Sequence, residues 1–381
     1  MPLLYSRRTI VFNAVLEVIA AVLLLPFYHR KPSSAVRKFL LVEPFGMGDV
    51  LSLSVMLDPL KTAIPDADVR VLTKSGNEQI YEADPRISRT YAVPIPWSRM
   101  PGRKRGSVAE WAEIWRTCRD IAKWCPDIGL DSRSEVRSQI LMVLSGCRKR
   151  IGFRNYLNTN ISVYGWLLTD IIEKPPVLHR YLMNRLLLEQ GLMLASEPIE
   201  FPSFKPVIPA ERITTGSIQV LIHIGARWKY RQWPEECWIA LGRKMVDGGL
   251  CPAIIGDTGE ELTVKHIAES IGGTISICAD MSRLIGLVKG SDLLICLDSG
   301  PMHLAQTLGV PCIALFGPGD FELWHPQGKK DQTLFHRLPC NPCLQKRCIR
   351  PDDNCMSKIT VEEVFKAVLM ALERKSERVN S

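Results

Sequence analysis

The sequence has no internal repeat at a fixed short period and no low-complexity tract. Aromatic residues make up only 7% of the chain, and they do not interleave with its scattered basic residues. Proteins that bind single-stranded nucleic acid use such interleaving, because bases stack on the aromatic rings. We therefore expect no nucleic-acid partner. A basic, cysteine-rich nucleic-acid-binding module is kept only as the alternative outside enzymes.

Length and composition indicate a globular protein with more than one core. At 381 residues the chain is long for a single core, so two domains are expected. The formal charge of +8 suits a phosphorylated lipid surface or nucleic acid, but a basic enzyme can carry the same charge. Most of the 12 cysteines stand singly in apolar runs, where they act as small buried hydrophobes. A reducing cytosol is therefore expected.

The N-terminus carries an apolar stretch from Ile10 to Phe27, with basic residues on both sides. Its length of about 27 Å as a helix just reaches across a hydrocarbon core. Asn13 and Glu17 argue against spanning, because a carboxylate inside a membrane is costly. We expect residues 1–34 to form a membrane-associated helix, interfacial or marginally spanning, with the rest of the chain in the cytoplasm. The alternative is an apolar helix packed on the enzyme or on a neighbouring subunit.

The rest of the chain alternates between strand and helix patterns, which predicts α/β domains with parallel sheets. Strand Phe39–Val42 and a Gly46–Gly48 turn precede a helix predicted over Val50–Ala63. Prolines cluster from Pro198 to Pro209, which marks a linker. Beyond the linker the alternation restarts. We expect domains at residues 35–197 and 217–358, a linker at 198–216 and a final helix with a tail at 359–381.

The most informative stretch covers residues 292–305 (DLLICLDSGPMHLA). A β-leaning run ends at Asp298, a Ser-Gly-Pro turn follows, and a short helix pattern leads to a second buried strand at Cys312–Phe316. This is a βαβ unit, and its turn lies at the carboxyl end of a strand, where open α/β sheets bind ligands. A helix N-terminus at that place can bind phosphate.

Four segments together resemble a known enzyme family. They are FLLVEPFGMGDV at 39–50, HIGA at 223–226 with RQWPE at 231–235, the stretch at 292–305, and FGPGD at 316–320. Their order and spacing resemble the glycosyltransferase family that contains the bacterial ADP-heptose:lipopolysaccharide heptosyltransferases. The resemblance spans roughly Phe39 to Leu372.

The resemblance implies a GT-B fold, in which two doubly wound Rossmann-like domains face a cleft. Residues 35–197 would bind the acceptor, 217–358 would bind the nucleotide sugar, and the helix in 359–381 would cross back to the first domain. The implied activity is inverting transfer of a heptose from ADP-heptose to a lipid-linked saccharide such as the lipopolysaccharide core, at the cytoplasmic face of the inner membrane. No cofactor would be required, since no Asp-x-Asp pair stands at the expected turn. A sugar-nucleotide epimerase on the same fold is the alternative among enzymes.

Asp49 is the first candidate for catalysis. Gly46 and Gly48 allow a tight turn and close approach of a substrate, and Asp49 would stand at a helix start. Glycosyl transfer needs a base for the acceptor hydroxyl, and the resemblance implies that role for this Asp. The alternative is an Asp that merely caps the helix.

Arg231 is the candidate for neutralising the donor diphosphate as it leaves. The resemblance places a basic residue just before the Trp-Pro-Glu segment, but Gln232 occupies a position that is often basic. Lys229 or Arg227 could therefore share or replace this role. A solvated basic loop is the alternative.

The remaining candidates for donor binding are Asp298, Ser299, Gly300, His303 and Glu260. Ser299 and the N–H groups at the helix start can hold phosphate oxygens, and His303 lies one turn inside. His303 could instead be a core histidine. The resemblance implies that Glu260 holds the ribose of the donor, with Glu261 next to it as the competing assignment.

Four cysteines, Cys340, Cys343, Cys348 and Cys355, fall within 16 residues. Thiolates at such spacing can hold structural zinc, although the spacing is more compressed than in a usual zinc ribbon. Reduced thiols or a local disulfide are the alternatives.

Overall fold

The computed structural model describes residues 7–24, 36–97, 106–133, 135–154, 164–173, 178–195, 198–213, 218–278, 280–343 and 347–379. The chain divides into two compact units, Met1–Glu200 and Phe201–Ser381. The division falls inside the Pro-rich stretch in which the sequence predicts a linker.

The first unit contains a six-stranded parallel sheet. Its strands are β1 (Lys38–Glu43), β2 (Asp68–Lys74), β3 (Arg89–Val93), β4 (Ile128–Asp131), β5 (Lys149–Arg154) and β6 (Asp170–Glu173). Their spatial order is β3-β2-β1-β4-β5-β6. β1 is fully buried from Phe39 to Val42, as expected for a strand covered on both faces. The order reverses between β1 and β4, and such switch points are where open α/β sheets bind ligands.

Seven α-helices belong to the described part of this unit. They are α1 (Arg7–Leu24), α2 (Met47–Leu51), α3 (Leu57–Ala63), α4 (Glu78–Glu82), α5 (Val108–Trp124), α6 (Val136–Leu144) and α7 (Arg180–Gly191). The single helix predicted over Val50–Ala63 is wrong, because a 3₁₀ turn at Ser52–Met56 separates α2 from α3. The Ser52 hydroxyl donates to the Asp49 carbonyl, and the Asn184 amide donates to the Ser52 carbonyl. Such side-chain bonds compete with the regular helical pattern.

The second unit repeats the same topology. Its strands are β7 (Val220–His223), β8 (Pro252–Gly256), β9 (Thr274–Ile277), β10 (Leu293–Leu297), β11 (Cys312–Phe316) and β12 (Gln332–Phe335). All pairs are parallel, in the order β12-β11-β10-β7-β8-β9. Counted from the first strand of each unit, the two orders are the same. The second switch point therefore lies between β7 and β10.

Six α-helices accompany this sheet in its described part. They are α8 (Glu235–Asp247), α9 (Glu261–Ile271), α10 (Met281–Lys289), α11 (Gly300–Leu308), α12 (Phe321–Trp324) and α13 (Val361–Val379). The last helix packs against α8, β11 and β12, and its residues Val364 and Val368 join the core of the second unit.

The Pro-rich segment is packed rather than loose. It has no helix or strand over residues 198–213, but Phe204 is buried and the N–H groups of Ser203 and Phe204 donate to the Thr307 carbonyl in α11. Lys289 Nζ donates to two of its carbonyls. The segment is therefore fixed onto α10 and α11 of the second unit.

Helix α1 packs on α6. Ala20 is buried together with Val136, Val143 and Leu167, and Leu16 lies at the edge of this cluster. One face of α1 thus packs on the enzyme, as the alternative interpretation of the N-terminus predicts. Of the helices in the described ranges, none combines the length and the hydropathy needed to cross a membrane.

Candidate active site

In the first unit, Asp49 lies at the carboxyl end of β1, in the first turn of α2. Its Oδ2 accepts a hydrogen bond from the Gly46 N–H at 3.1 Å, so the predicted helix-capping contact exists. Its Oδ1 lies 2.6 Å from Arg133 Nη1. The carboxylate is therefore held from two sides, with its side chain 15% exposed. It lies at the first switch point.

Arg133 is a site residue that the sequence reasoning missed. It follows β4, which neighbours β1, and its backbone N–H donates to Asp131 Oδ1 at 3.0 Å. Its guanidinium lies 4.0 Å from the centre of the Phe45 ring, a cation–π geometry. The available signal was a polar Asp-Ser-Arg run directly after a buried strand, at the edge where β1 also ends.

A buried polar network lies next to Asp49. Glu43 is fully buried and forms an ion pair with Arg180, and Ser132 Oγ donates to Glu43 Oε2 at 3.1 Å. Burial raises the pKa of Glu43 to about 7; the charge of Arg180 lowers it and that of Asp49 raises it. The first switch point thus concentrates carboxylates and guanidinium groups.

In the second unit, the corresponding position is the start of α11, directly after β10. Ser299 is the N-cap residue in an extended conformation, but its hydroxyl donates back to the Leu297 carbonyl instead of capping the helix. Pro301 stands in the first turn, where its missing N–H costs nothing. The first turn has no side-chain cap in the described part of the chain, so its N–H groups are suited to a phosphate.

Arg231 contacts Asp298, which directly precedes this helix start. Its Nη1 donates to the Asp298 carbonyl at 2.8 Å and lies 3.0 Å from Asp298 Oδ2. Asp298 is buried; burial raises the pKa of its carboxyl, and the charge of Arg231 lowers it. A Cβ on Gly319 would come within 2.0 Å of Asp298 Oδ2, so this glycine is needed for the carboxylate to fit.

Lys229 lies elsewhere. It lines a cavity of about 530 Å³ near the ends of β7 and β8, together with Gln232, Trp233 and Glu260. Its lining mixes apolar side chains such as Ile224 and Trp238 with polar and charged ones such as Glu235 and Asp352. Lys229 therefore lines the cavity, whereas Arg231, only two residues away in sequence, contacts Asp298 at the start of α11.

Glu260 reaches into the cavity, whereas its neighbour does not. Its Oε2 accepts from the Asp257 N–H at 3.2 Å, and burial raises the pKa of its carboxyl. A Cβ on Gly225 would lie 1.7 Å from Glu260 Oε1, so only glycine leaves room for this carboxylate. Glu261 is instead paired with Lys265 on the surface at 2.6 Å. The geometry favours Glu260 for contact with a ligand.

Two histidines lie in the second unit near these groups. His303 is buried in α11, with its ring edge-on to Trp324 at 5.3 Å between centres. His223 ends β7, and sequence reasoning did not single it out as a site residue. Burial lowers the pKa of His223 to about 4, so its ring is neutral, and its Nδ1 has no hydrogen-bond partner among the described residues.

The four clustered cysteines line one small cavity of about 20 Å³. All are free thiols, and Cys355 is buried. However, the described residues contain no group of three or more His, Cys, Asp or Glu side chains that could hold a metal ion. Zinc at these four cysteines therefore stays a prediction.

Comparison with known proteins assigns the chain to a family. The model of "Glycosyltransferase family 9 (heptosyltransferase)" matches residues 114–352, which include Arg133, Arg231, Glu260 and Asp298. The chain belongs to glycosyltransferase family 9. It is thus a glycosyltransferase, and neither the epimerase nor the nucleic-acid-binding alternative is favoured.

Alignments with several named proteins cover most of the chain. It is 23% identical to lipopolysaccharide heptosyltransferase 1 of Pseudomonas aeruginosa, over 82% of this chain and 87% of that protein. It is 20% identical to lipopolysaccharide heptosyltransferase 2 of Escherichia coli, over 78% and 87% respectively. Among solved structures, E. coli heptosyltransferase WaaC with ADP-2-deoxy-2-fluoro heptose matches with a TM-score of 0.71 at 20% identity, covering 87% of this chain and 99% of WaaC. This likeness confirms the α/β GT-B-like fold.

Proposed function

We propose that this family 9 enzyme transfers a heptose, with inversion, from ADP-heptose to a lipid-linked saccharide of the lipopolysaccharide core. The names of its relatives support the substrates. The observation that carries the proposal is the meeting of Arg231 and Asp298 at the start of α11. A guanidinium beside free helical N–H groups is a site for a diphosphate.

In the second unit, the donor would be bound in two parts. The nucleoside occupies the cavity, where Glu260 accepts hydrogen bonds from the ribose hydroxyls. The diphosphate lies against Ser299, Gly300 and the N-terminus of α11, and Arg231 turns from Asp298 towards it. The positive charge of Arg231 then stabilises the negative charge that grows on ADP as the glycosidic bond breaks. His303 supports this turn of α11 from inside.

In the first unit, Asp49 would act as the general base. It takes the proton of the acceptor hydroxyl, whose oxygen forms a bond to the anomeric carbon of the heptose. The bond from that carbon to the diphosphate breaks, and ADP leaves with the electron pair. Gly46 and Gly48 keep the turn before Asp49 narrow enough for the acceptor to approach.

In this proposal, protein groups supply the charge stabilisation and no cofactor is required. Structural zinc at the four cysteines stays a prediction that metal analysis of the purified chain can check. The acceptor is lipid-linked, so we also propose that the enzyme works at the cytoplasmic face of the inner membrane. Nucleic acid is not a partner.

The direct test is a thermal-shift comparison of ADP, UDP, GDP and CDP, followed by a transfer assay with ADP-heptose and a soluble acceptor analogue. A ligand that binds the native state raises Tm. We expect ADP to raise Tm most and heptose transfer to follow. A larger shift with another nucleotide, without transfer from ADP-heptose, would show that the donor is wrong.

A further inference from the structure

Helix α1 has its polar residues inside and its apolar residues outside. Asn13 and Glu17 are both buried, at 1% and 0% exposure. Every strongly exposed side chain in the described part of the helix is apolar. These residues form the outer face of α1: Val11, Phe12, Val15, Val18, Ile19, Val22 and Leu23. A surface helix of a soluble protein normally shows the opposite pattern.

Glu17 fastens α1 to a neighbouring segment. Its Oε2 accepts from the Tyr164 N–H at 3.1 Å, and its Oε1 accepts from the Trp166 N–H at 2.9 Å. Leu167, directly afterwards, is buried between α1 and α6. The Glu17 carboxylate, which argued against a membrane span in the sequence, therefore faces the protein. The outer face of α1 carries no charge in its described part.

The fastened segment carries an exposed aromatic pair. The rings of Tyr164 and Trp166 are stacked, with 4.6 Å between their centres and 20° between their planes. Their exposed fractions are 41% and 50%. Tyr and Trp are enriched at the boundary between water and lipid, because one part of each ring system is apolar and the other is polar.

The composition of the outer face argues against a second copy of this chain as its occupant. In the described part of the helix, its strongly exposed side chains are all apolar. A protein partner usually meets a patch whose apolar centre is surrounded by a polar rim. A lipid surface needs no such rim.

We propose that the outer face of α1 and the Tyr164–Trp166 pair form one surface that binds an anionic phospholipid bilayer. The helix lies in the plane of the interface with its apolar side in the acyl region. In the sequence, basic residues flank the apolar stretch on both sides and the net charge is +8, which suits anionic headgroups. This surface extends the proposed function by naming the part of the enzyme that meets the membrane.

The test uses the full-length protein in flotation with vesicles of phosphatidylcholine and roughly one-third phosphatidylglycerol. Deleting α1 would uncover Val143 and Leu167, so substitutions on its outer face are the cleaner test. Leu23→Glu should lower vesicle binding about tenfold, because a charge enters the apolar layer. Leu262→Glu is the matched control, since Leu262 is also an exposed leucine on a helix (84% against 69%). It should bind vesicles like the wild type.

A second pair of variants tests the aromatic part. Trp166→Ala should reduce binding severalfold, whereas Trp115→Ala, at a similarly exposed tryptophan of α5, should not. Equal losses of vesicle binding in the test and control variants would overturn the assignment. A dimer that forms without lipid as the protein concentration rises, and that Leu23→Glu abolishes, would overturn it too. Transfer to the soluble acceptor analogue is measured in parallel. Normal transfer by all variants separates a failure of this surface from a failure of the proposed function.

Discussion

The two switch points of this enzyme have the same strand order but different chemistry. At the first, Asp49 and Glu43 lie among the guanidinium groups of Arg133 and Arg180. At the second, the guanidinium of Arg231 contacts Asp298 beside the start of α11, which has no side-chain cap among the described residues. The shared topology provides a crevice in each unit. The side chains then decide whether the crevice suits proton transfer or anion binding.

Two glycines of the second unit show another difference between the two switch points. In the second unit, Gly225 and Gly319 leave space for the carboxylates of Glu260 and Asp298, which a Cβ would meet within 2.0 Å. These carboxylates are therefore pressed against the backbone beside the donor site. In the first unit, Asp49 is held by Arg133 and one backbone N–H, and Glu43 is held by the side chains of Arg180 and Ser132. We infer that the donor site depends more on backbone shape, and the acceptor site more on charge pairing.

The largest expected effect is on the first switch point. Asp49→Asn keeps the side-chain shape but cannot take a proton from the acceptor. We expect kcat to fall by roughly a hundredfold to ten-thousandfold, as for loss of a general base, with Tm nearly unchanged. Steady-state transfer with ADP-heptose measures this. Substantial turnover by the variant with a good acceptor would remove Asp49 from its proposed role.

The next effect is on the second switch point. Arg231→Ala should weaken ADP binding and lower kcat together, each by about ten- to a hundredfold, the usual range for a charge-assisted hydrogen bond. Arg231→Lys should recover only part of this, because an ammonium group cannot form a bidentate contact. Lys229→Ala is the matched control. Lys229 lines the cavity and not the start of α11. If Lys229→Ala weakened ADP binding more than Arg231→Ala does, the contact with the diphosphate would belong to Lys229 instead of Arg231.

The last expected effect is on stability and not on catalysis: the free energy of unfolding depends on pH through the first unit. The pKa of Glu43 is raised from 4.5 to about 7, so the folded protein holds this proton more tightly than the unfolded chain does. Its contribution to stability is therefore full below the unfolded pKa and is lost as pH rises towards 7, by about 1.4 kcal/mol for each pH unit. Glu43→Gln should lack this slope in chemical denaturation. The exposed Asp66→Asn should retain it, and an unchanged slope in Glu43→Gln would contradict the assignment.

Much of the fold could be predicted because its signals are local. The alternation of buried strands and helices, the Ser299–Gly300 turn and the position of Arg231 all follow from short segments. Five strands were not predicted: β3, β5, β6, β9 and β12. Charged or polar residues such as Lys149, Asp170 and Gln332 interrupt their apolar patterns.

The missed parts of the site depend on contacts between distant segments. Arg133 reaches Asp49 only because β4 pairs with β1, and no local pattern indicates that pairing. The ion pair of Glu43 likewise needs Arg180, far along the chain. In α1 a signal was available, because Asn13, Glu17 and Ala20 recur at helical spacing and so share one face. That face is the buried one.

The division of labour between the two units is the central claim, and ADP binding tests it most directly. Isothermal titration of ADP into the wild type, Asp49→Asn and Arg231→Ala compares the two switch points with one ligand. We predict the same Kd for the wild type and Asp49→Asn, and a Kd about ten- to a hundredfold higher for Arg231→Ala. An Asp49→Asn variant that loses ADP affinity while Arg231→Ala keeps it would contradict the account.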